Sequence, residues 1–193
     1  MKNLIYAVLF TLIFSQSVIA DDKKEAEEVL KCKLESVILV LEKKELNEEA
    51  KKKEIIKIVT PMFNFSLMSK LTLGKKHWPG FTKEQKERFT ELFTKRLKDS
   101  YLDKIMLYTN EKIEYKVPVQ VGKKVQIPTI LTSKDNKISM LYKLYKSKQG
   151  WRIYDIEIQG VSLISTYRSQ FDEILRNKTV DALLAKLEKS ESK

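Results

Sequence analysis

The chain has 193 residues, of which 42% are hydrophobic and 33% are charged, an ordinary balance for one soluble globular domain with its own core. Lysine and arginine outnumber aspartate and glutamate by 37 to 26, which gives a net charge of +11. Such a charge favours binding to nucleic acid, an anionic membrane or an acidic protein. An excess of lysine is, however, most often only a solvated surface. The single cysteine, Cys32, excludes an internal disulfide.

The first residues, Met1 to Ala20, have the form of a secretory signal peptide. A lysine precedes the apolar run Leu4 to Phe14, and Val18 and Ala20 supply the small residues of a cleavage site. The apolar run is too short to span a bilayer, so an uncleaved membrane anchor is the poorer interpretation. We therefore expect a mature chain that begins at Asp21 in the periplasm, where nucleic acid is not an expected partner.

Helical spacing of apolar residues fills the next part of the chain. A first helix is predicted from Asp22 to about Lys43, and Asn47 is placed to cap a second helix, Glu48 to Val59. A short third helix ends at Gly74. The clearest helix begins with the capping box at Thr82. Each of these helices is apolar on one side, so each is expected to pack by one face.

The apolar period then changes from helical spacing to alternation. Four strands joined by short polar turns predict an antiparallel meander. Pro118 and Pro128 each lack a backbone donor, which favours a sheet edge or a bulge at those points. The predicted strands are Ile113 to Gln120, Val125 to Leu131, Ile138 to Leu144 and Trp151 to Ile158.

A turn and two helices follow the last strand. Gly160 breaks the strand, and Ser162 offers a hydroxyl at the start of an amphipathic helix. A last helix, Val180 to Leu187, is expected to close the domain. The predicted fold class is α+β, with a helical lobe over about residues 21–110 and a four-stranded curved antiparallel sheet with C-terminal helices across it over about 111–188. Helix-wrapped sheets of this kind resemble the NTF2-like fold, whose cone encloses a pocket.

Two stretches of the chain resemble the MlaC family, also called the toluene-tolerance or ABC-transporter auxiliary family. The first is GWRIYDIEIQGVSLISTYRSQFDEIL, Gly150 to Leu175, which looks like the signature stretch of the family. The second is PMFNFSLMSKLTLGKKHWPGFTKEQKERFTELF, Pro61 to Phe93, which has the order of the aromatic-Asp-aromatic motif, Leu-Gly turn, Trp and Thr-x-x-Gln helix start of the family. Asn64 stands where the family motif has Asp, which puts the role of that carboxylate in doubt.

The resemblance implies a periplasmic carrier of phospholipid with no catalytic activity and no cofactor. It implies a deep apolar pocket that takes the acyl chains and leaves the head group outside, with a volume on the order of 1,000 Å³ for two tails. It also implies transient membrane contact and two partners, the MCE-domain subunit of an inner-membrane ABC transporter and an outer-membrane lipoprotein–porin complex, with which the carrier maintains outer-membrane lipid asymmetry.

The candidate pocket residues are the apolar side chains that face one another from the predicted helices and sheet. A plain core between these two surfaces is the simpler interpretation of the same pattern, and only the resemblance favours a cavity. The candidates are Phe63, Phe65, Met68, Leu71, Phe89, Phe93, Ile113, Tyr115, Val117, Ile127, Met140, Tyr142, Ile156, Val161, Leu163, Tyr167 and Phe171.

The residues that could carry catalysis are few. The only histidine is His77, and no cluster of residues has metal-ligand spacing. Asp155 and Glu157 share a strand face and could do acid–base work, but an ion pair with Arg152 or Arg168 is the expected arrangement. Two other functions stay open, an NTF2-like enzyme acting on a small apolar substrate and a periplasmic adaptor that binds no lipid.

Overall fold

The computed structural model describes residues 15–107, 112–133 and 136–189. Within these ranges it contains six α-helices and a six-stranded antiparallel sheet, which confirms the predicted α+β class. Most of the predicted signal peptide, Met1 to Ala20, lies outside the described residues. None of the helices in the described ranges combines the length and the hydrophobicity that crossing a bilayer requires.

The helices whose caps the sequence predicts begin where it places them, because caps are local; the first helix begins instead at Ser15, seven residues before Asp22. Asn47 and Ser162 each accept a hydrogen bond from the backbone N–H three residues further on, and Thr82 and Gln85 form the predicted capping box. The helices are α1 (Ser15–Glu42), α2 (Glu48–Val59), α3 (Phe65–His77), α4 (Lys83–Met106), α5 (Leu163–Asn177) and α6 (Val180–Glu188).

The sheet has six strands in the order β1-β3-β4-β5-β6, with β2 also paired to β3, so the prediction of four strands was wrong. The first predicted strand divides into two around Pro118, and a short extra strand precedes α5. The strands are β1 (Lys112–Tyr115), β2 (Val119–Val121), β3 (Lys124–Ser133), β4 (Asn136–Ser147), β5 (Gly150–Ile158) and β6 (Val161–Ser162).

The break at Pro118 reverses the facing of the side chains that follow it. Tyr115 pairs with Thr129, so an unbroken strand would place Val119 opposite Val125, but Val119 pairs with Gln126. A shift of one residue moves side chains to the opposite face of a sheet. Val117 was expected to point inward, and it lies instead in the connection between β1 and β2 with an exposed fraction of 81%.

A second irregularity changes the facing within β5. Lys143 pairs with Asp155 and Leu144 with Ile153, so Tyr154 is an extra residue, a β-bulge. Strict alternation along the predicted strand Trp151 to Ile158 would place Tyr154 on the same side as Ile156 and Ile158. The bulge turns it to the outer face, where its ring centroid lies 6.2 Å from that of Tyr145.

Three apolar cores hold these elements together. The first joins the inner face of the sheet to α1, the second joins α1 to α2 and the end of α4, and the third lies among α3, α4, α5 and α6. The helices of the third core therefore bury their apolar stripes largely against one another. This leaves part of the inner sheet face without a helix packed on it.

Arg168 does not pair with a carboxylate, contrary to our expectation. Its Nε and Nη2 donate to the backbone carbonyl of Leu71 at 2.9 and 2.7 Å. Gly74 has a φ of 62°, which interrupts α3 and leaves carbonyls near the interruption without their helical partners. The Arg168 side chain lies against Gly74, 3.7 Å from where a Cβ would stand. Arg168 thus ties α5 to the interrupted end of α3.

Asp155 is the carboxylate that fixes α5 on the sheet. It is 5% exposed, and its oxygens accept from Lys143 Nζ at 3.2 Å, Ser162 Oγ at 2.8 Å and the backbone N–H of Ile164 at 3.2 Å. Glu157 contacts the same lysine from a more exposed position. The expected ion pair therefore exists, but its cation is Lys143 on the neighbouring strand rather than Arg152 or Arg168.

We predict that Asp155→Ala destabilises the fold by about 3 kcal/mol, because it leaves Lys143 and the α5 N-terminus without their buried acceptor. Glu157→Ala removes a carboxylate from the same lysine at a more exposed site and should cost no more than about 1 kcal/mol. Urea denaturation of both variants, followed by circular dichroism, measures the difference. Equal losses for the two variants would contradict the role given to Asp155.

Candidate functional site

An apolar cavity of about 540 Å³ lies between the inner sheet face and the helices. This volume is within the usual range for small-molecule sites, although it is about half of what we expected for two acyl tails. Hydrogen bonds from Asn64 and Ile164 to β5 hold α3 and α5 close to the sheet and so limit the space. Both α1 and α4 contribute walls, together with α2 and the start of α5.

Part of the candidate pocket set lines this cavity. These residues come from the segment that leads into α3 and its first turn, from the sheet and from the start of α5. The candidates that line the cavity are therefore distributed around its walls. Their contact with lipid stays a prediction. They are Phe63, Phe65, Met68, Ile113, Met140, Tyr142, Ile156, Val161 and Leu163.

The other candidates lie away from the cavity lining. Most of them belong to the helical core, where Phe89, Phe93 and Phe171 pack edge-to-face or stacked with centroids 5.4 to 5.8 Å apart. Leu71 and Tyr167 pack on the same core. These side chains were expected to meet the sheet, but four helices that cover one another satisfy their apolar faces without it.

The remaining candidates outside the cavity lining are on the sheet. Ile127 is fully buried in the core between the sheet and α1. Tyr115 is half-buried with the ammonium of Lys31 5.8 Å above its ring, and burial raises the pKa of its hydroxyl to about 12. Val117 lies on the surface, in the connection between β1 and β2. None of the three lines the cavity.

The candidate set missed the contribution of the first two helices. The lining includes Leu34, Val37, Ile38 and Leu41 of α1 and Ile56 of α2. The helical spacing of α1 does place its four residues on one face, so the stripe itself was visible in the sequence. The sequence did not indicate that this part of the stripe faces open space while Ala26 and Leu30, earlier on the same face, pack on the sheet.

The cavity meets solvent at a mouth near the end of α4 and the start of α5. Among the described lining residues, Lys104, Val161 and Thr166 are the exposed ones. Val161 is 59% exposed. The other lining residues are buried or half-buried, so the interior is shielded from water.

A second, more open groove of about 460 Å³ shares Phe63 and Phe65 with the cavity. The two rings stack with centroids 5.5 Å apart and separate the two spaces. The groove is otherwise polar and includes Asn64, Ser66 and Arg152. Asn64 accepts from the backbone N–H of Leu67 at 2.8 Å and donates to the hydroxyl of Tyr145, so it caps α3 and joins it to β4.

The lining offers little for catalysis. Tyr101 lines the cavity, and burial raises the pKa of its hydroxyl to about 12, so it is a neutral phenol at physiological pH. Among the described residues, no group of three or more His, Cys, Asp or Glu side chains is arranged to hold a metal ion. The arrangement is suited to holding an apolar molecule whose polar end stays at the mouth.

His77 lies in an ion cluster outside the lining. Its Nε2 is 2.8 Å from Asp172 Oδ1, which also accepts from Lys76 at 2.6 Å, while Arg176 binds the other oxygen. Hydrogen bonds from Lys76, His77 and Arg176 hold the pKa of the Asp172 carboxyl well below its usual range. His77 therefore joins the end of α3 to α5.

Two comparisons place the chain among known proteins. A solved structure, the phospholipid-binding protein from Ralstonia solanacearum in complex with a phospholipid, superposes with a TM-score of 0.76 and is 22% identical in sequence; the match covers 85% of this chain and 95% of that one. At this identity the likeness shows the fold alone. The intermembrane phospholipid transport system binding protein MlaC of Haemophilus influenzae is 25% identical over 138 residues, 68% of this chain.

The match with the Haemophilus influenzae protein spans 64% of the length of that relative. A comparison with family models extends further along this chain. The model described as MlaC protein matches residues 33–189, which include both stretches that carry the resemblance in the sequence. The chain belongs to the MlaC family.

Proposed function

We propose that this protein is a periplasmic phospholipid carrier that holds acyl chains in the cavity and leaves the head group at the mouth. The observation that carries this proposal is the cavity of about 540 Å³, whose interior is walled almost entirely by apolar side chains from helices α1 to α5 and the sheet. Membership of the MlaC family supports the same function. The carrier acts without a covalent step and without a cofactor.

For such a carrier, the free energy of the acyl chains in the cavity needs only to match their free energy in the membrane. Two tails with about thirty methylenes gain roughly 20–25 kcal/mol in gross transfer energy when they leave water. A bilayer already supplies that environment, so an apolar cavity makes the exchange near neutral and reversible. A carrier can then load at one membrane and unload at another.

We further propose that the two ends of the route are the complexes implied by the family. These are an outer-membrane lipoprotein–porin complex and the MCE-domain subunit of an inner-membrane ABC transporter, and the traffic between them maintains outer-membrane lipid asymmetry. The name of the Haemophilus influenzae relative, a binding protein of an intermembrane phospholipid transport system, supports this assignment. A net charge of +11 would draw the carrier to acidic partners or anionic membranes.

The proposal is tested by extracting the purified mature protein with organic solvent and identifying the extract by mass spectrometry. We expect phospholipid in near-stoichiometric amount. Because the lipid binds only the folded state, removing it should lower the melting temperature, and adding phospholipid back should restore it. A protein that carries no phospholipid and does not respond to it would favour the enzyme or the adaptor instead.

A pair of matched substitutions separates cavity from core. Ile138 lines the cavity, whereas Ile127 is fully buried and does not. Ile138→Trp should leave the stability of the lipid-free protein nearly unchanged and reduce bound phospholipid to below about half, because the indole takes volume that acyl chains would fill. Ile127→Trp should cost about 1–3 kcal/mol or more through overpacking.

Melting temperatures of the lipid-free variants and lipid counts by mass spectrometry measure both effects. A lipid-free Ile138→Trp protein destabilised as much as Ile127→Trp would mean that the sheet face at Ile138 is ordinary core. Full lipid occupancy in Ile138→Trp would place the acyl chains elsewhere.

The periplasmic address rests on the predicted signal peptide. We expect protein exported by a Gram-negative host to begin at Asp21, since Val18 and Ala20 fit the signal peptidase site. Intact-mass measurement of the periplasmic fraction checks this expectation. A product that retains Met1 to Ala20 would refute both the cleavage site and the proposed processing.

A further inference from the structure

The charges in the cavity lining are all of one sign. Lys98 and Lys104, both on α4, are the charged residues that line the cavity, and no Asp or Glu of the described chain contributes to that lining. Lys104 is one of the exposed residues at the mouth, and Lys98 is half-buried about one and two-thirds turns earlier on the helix. We call this pair the lining lysines.

The lining lysines have no carboxylate partner in the described part of the chain. The ammonium of Lys98 lies 5.6 Å above the ring of Phe65, and that of Lys104 lies 5.1 Å above the ring of Tyr101. Asp103 precedes Lys104 in sequence, but it pairs with Lys52 at 2.9 Å on the side of α4 that faces α2. The two ammonium groups are therefore held beside the cavity by aromatic rings, with N–H donors still available.

Aromatic contacts of this kind position a cation without neutralising it. A cation over a ring gains only a weak electrostatic attraction at an exposed site, whereas a carboxylate would occupy its donors and cancel its charge. Some cations of the neighbouring helices differ in this respect: Lys52 of α2 and Lys76 of α3 are bound to carboxylates. An uncompensated positive field at an apolar cavity favours a ligand whose polar end is an anion.

We propose that the lining lysines form an anion site for the head-group phosphate and that they make this carrier prefer net-anionic phospholipids over zwitterionic ones. This inference rests on the proposed function and adds the class of lipid to it. A phosphate is common to both classes of lipid. In phosphatidylethanolamine the head-group ammonium offsets it and is repelled by the lysines, whereas phosphatidylglycerol carries no such cation.

The expected effect is moderate, because the mouth is exposed to solvent. Exposed pairs of opposite charge gain a factor of about two to five in an equilibrium constant, and salt screens them beyond about 8 Å at physiological ionic strength. We expect wild-type protein to take up phosphatidylglycerol over phosphatidylethanolamine by about threefold or more at low salt. The preference should shrink markedly at 0.5 M salt, a concentration at which the Debye length is on the order of 4 Å.

The test is a competition within a single vesicle. Delipidated protein is incubated with vesicles of equimolar phosphatidylglycerol and phosphatidylethanolamine with identical acyl chains, then repurified, and both lipids are counted by mass spectrometry. Because both lipids share one vesicle, any attraction of the basic protein to the anionic surface acts on both alike. The ratio of the bound lipids then reports the selectivity of the site itself.

The variant is Lys98→Gln/Lys104→Gln, and its matched control is Lys70→Gln/Lys95→Gln. Lys70 and Lys95 are exposed, lie on α3 and α4 and do not line the cavity, so the control loses the same net charge. We expect the variant to bind phospholipid with a ratio near one and the control to keep the wild-type ratio. Lys98→Arg/Lys104→Arg keeps both charges and should keep the preference, which separates charge from any disturbance of packing.

The outcomes distinguish the inference from the function on which it rests. If wild type carries both lipids equally, or if the glutamine variant keeps the preference of the wild type, the lining lysines do not select the lipid, and the carrier function stands. If the control loses the preference as fully as the variant, the selectivity comes from net charge and the anion site is refuted. Protein that takes up neither lipid in any form would refute the carrier function itself.

Discussion

The self-packing of the helical lobe is the constraint on which the cavity depends. Phe171 of α5 lies edge-to-face on Phe89 and Phe93 of α4, with centroids 5.4 and 5.8 Å away, and such pairs add about 0.5–1.5 kcal/mol each beyond the area they bury. These aromatic faces are satisfied within the lobe, so they do not collapse onto the sheet. The inner sheet face is covered by α1 at one end and left uncovered at the other, and this difference creates an apolar cavity beside the three cores.

The lobe must nevertheless stay attached to the sheet, and polar contacts provide that attachment at its edge. Asp155 binds the first turn of α5 to β4 and β5, Asn64 does the same for α3, and Arg168 ties the two helices together through Leu71. Hydrogen bonds of this kind fix a distance, whereas apolar contacts favour any arrangement that buries more area. Directional contacts at the edge and apolar surface in the interior thus hold the lobe and the sheet at a set separation, with the cavity between them.

The sequence predicts local features of this fold well. It predicts poorly which side of the sheet a side chain faces and which element a helix packs against. Caps at Asn47, Thr82 and Ser162 depend on residues three apart, and all were predictable. Which side of the sheet Val117 and Tyr154 face depends on a single extra residue in each strand. The alternation of apolar and polar residues does not show where that extra residue is inserted. The same physics explains the aromatic candidates of α4 and α5: a stripe at helical spacing shows that a face is buried, and only the tertiary structure determines whether it is buried against a sheet, a helix or a lipid.

Asn64 shows how one amide can join two elements. It accepts from the Leu67 N–H and so caps α3, and it donates to the hydroxyl of Tyr145 on β4. The aspartate that the resemblance leads us to expect at this position could make the cap, but it would have no proton to give to Tyr145, whose hydroxyl would have to donate instead. The amide therefore makes both contacts without placing a negative charge in the groove that holds Lys148 and Arg152, whose described lining residues include no carboxylate.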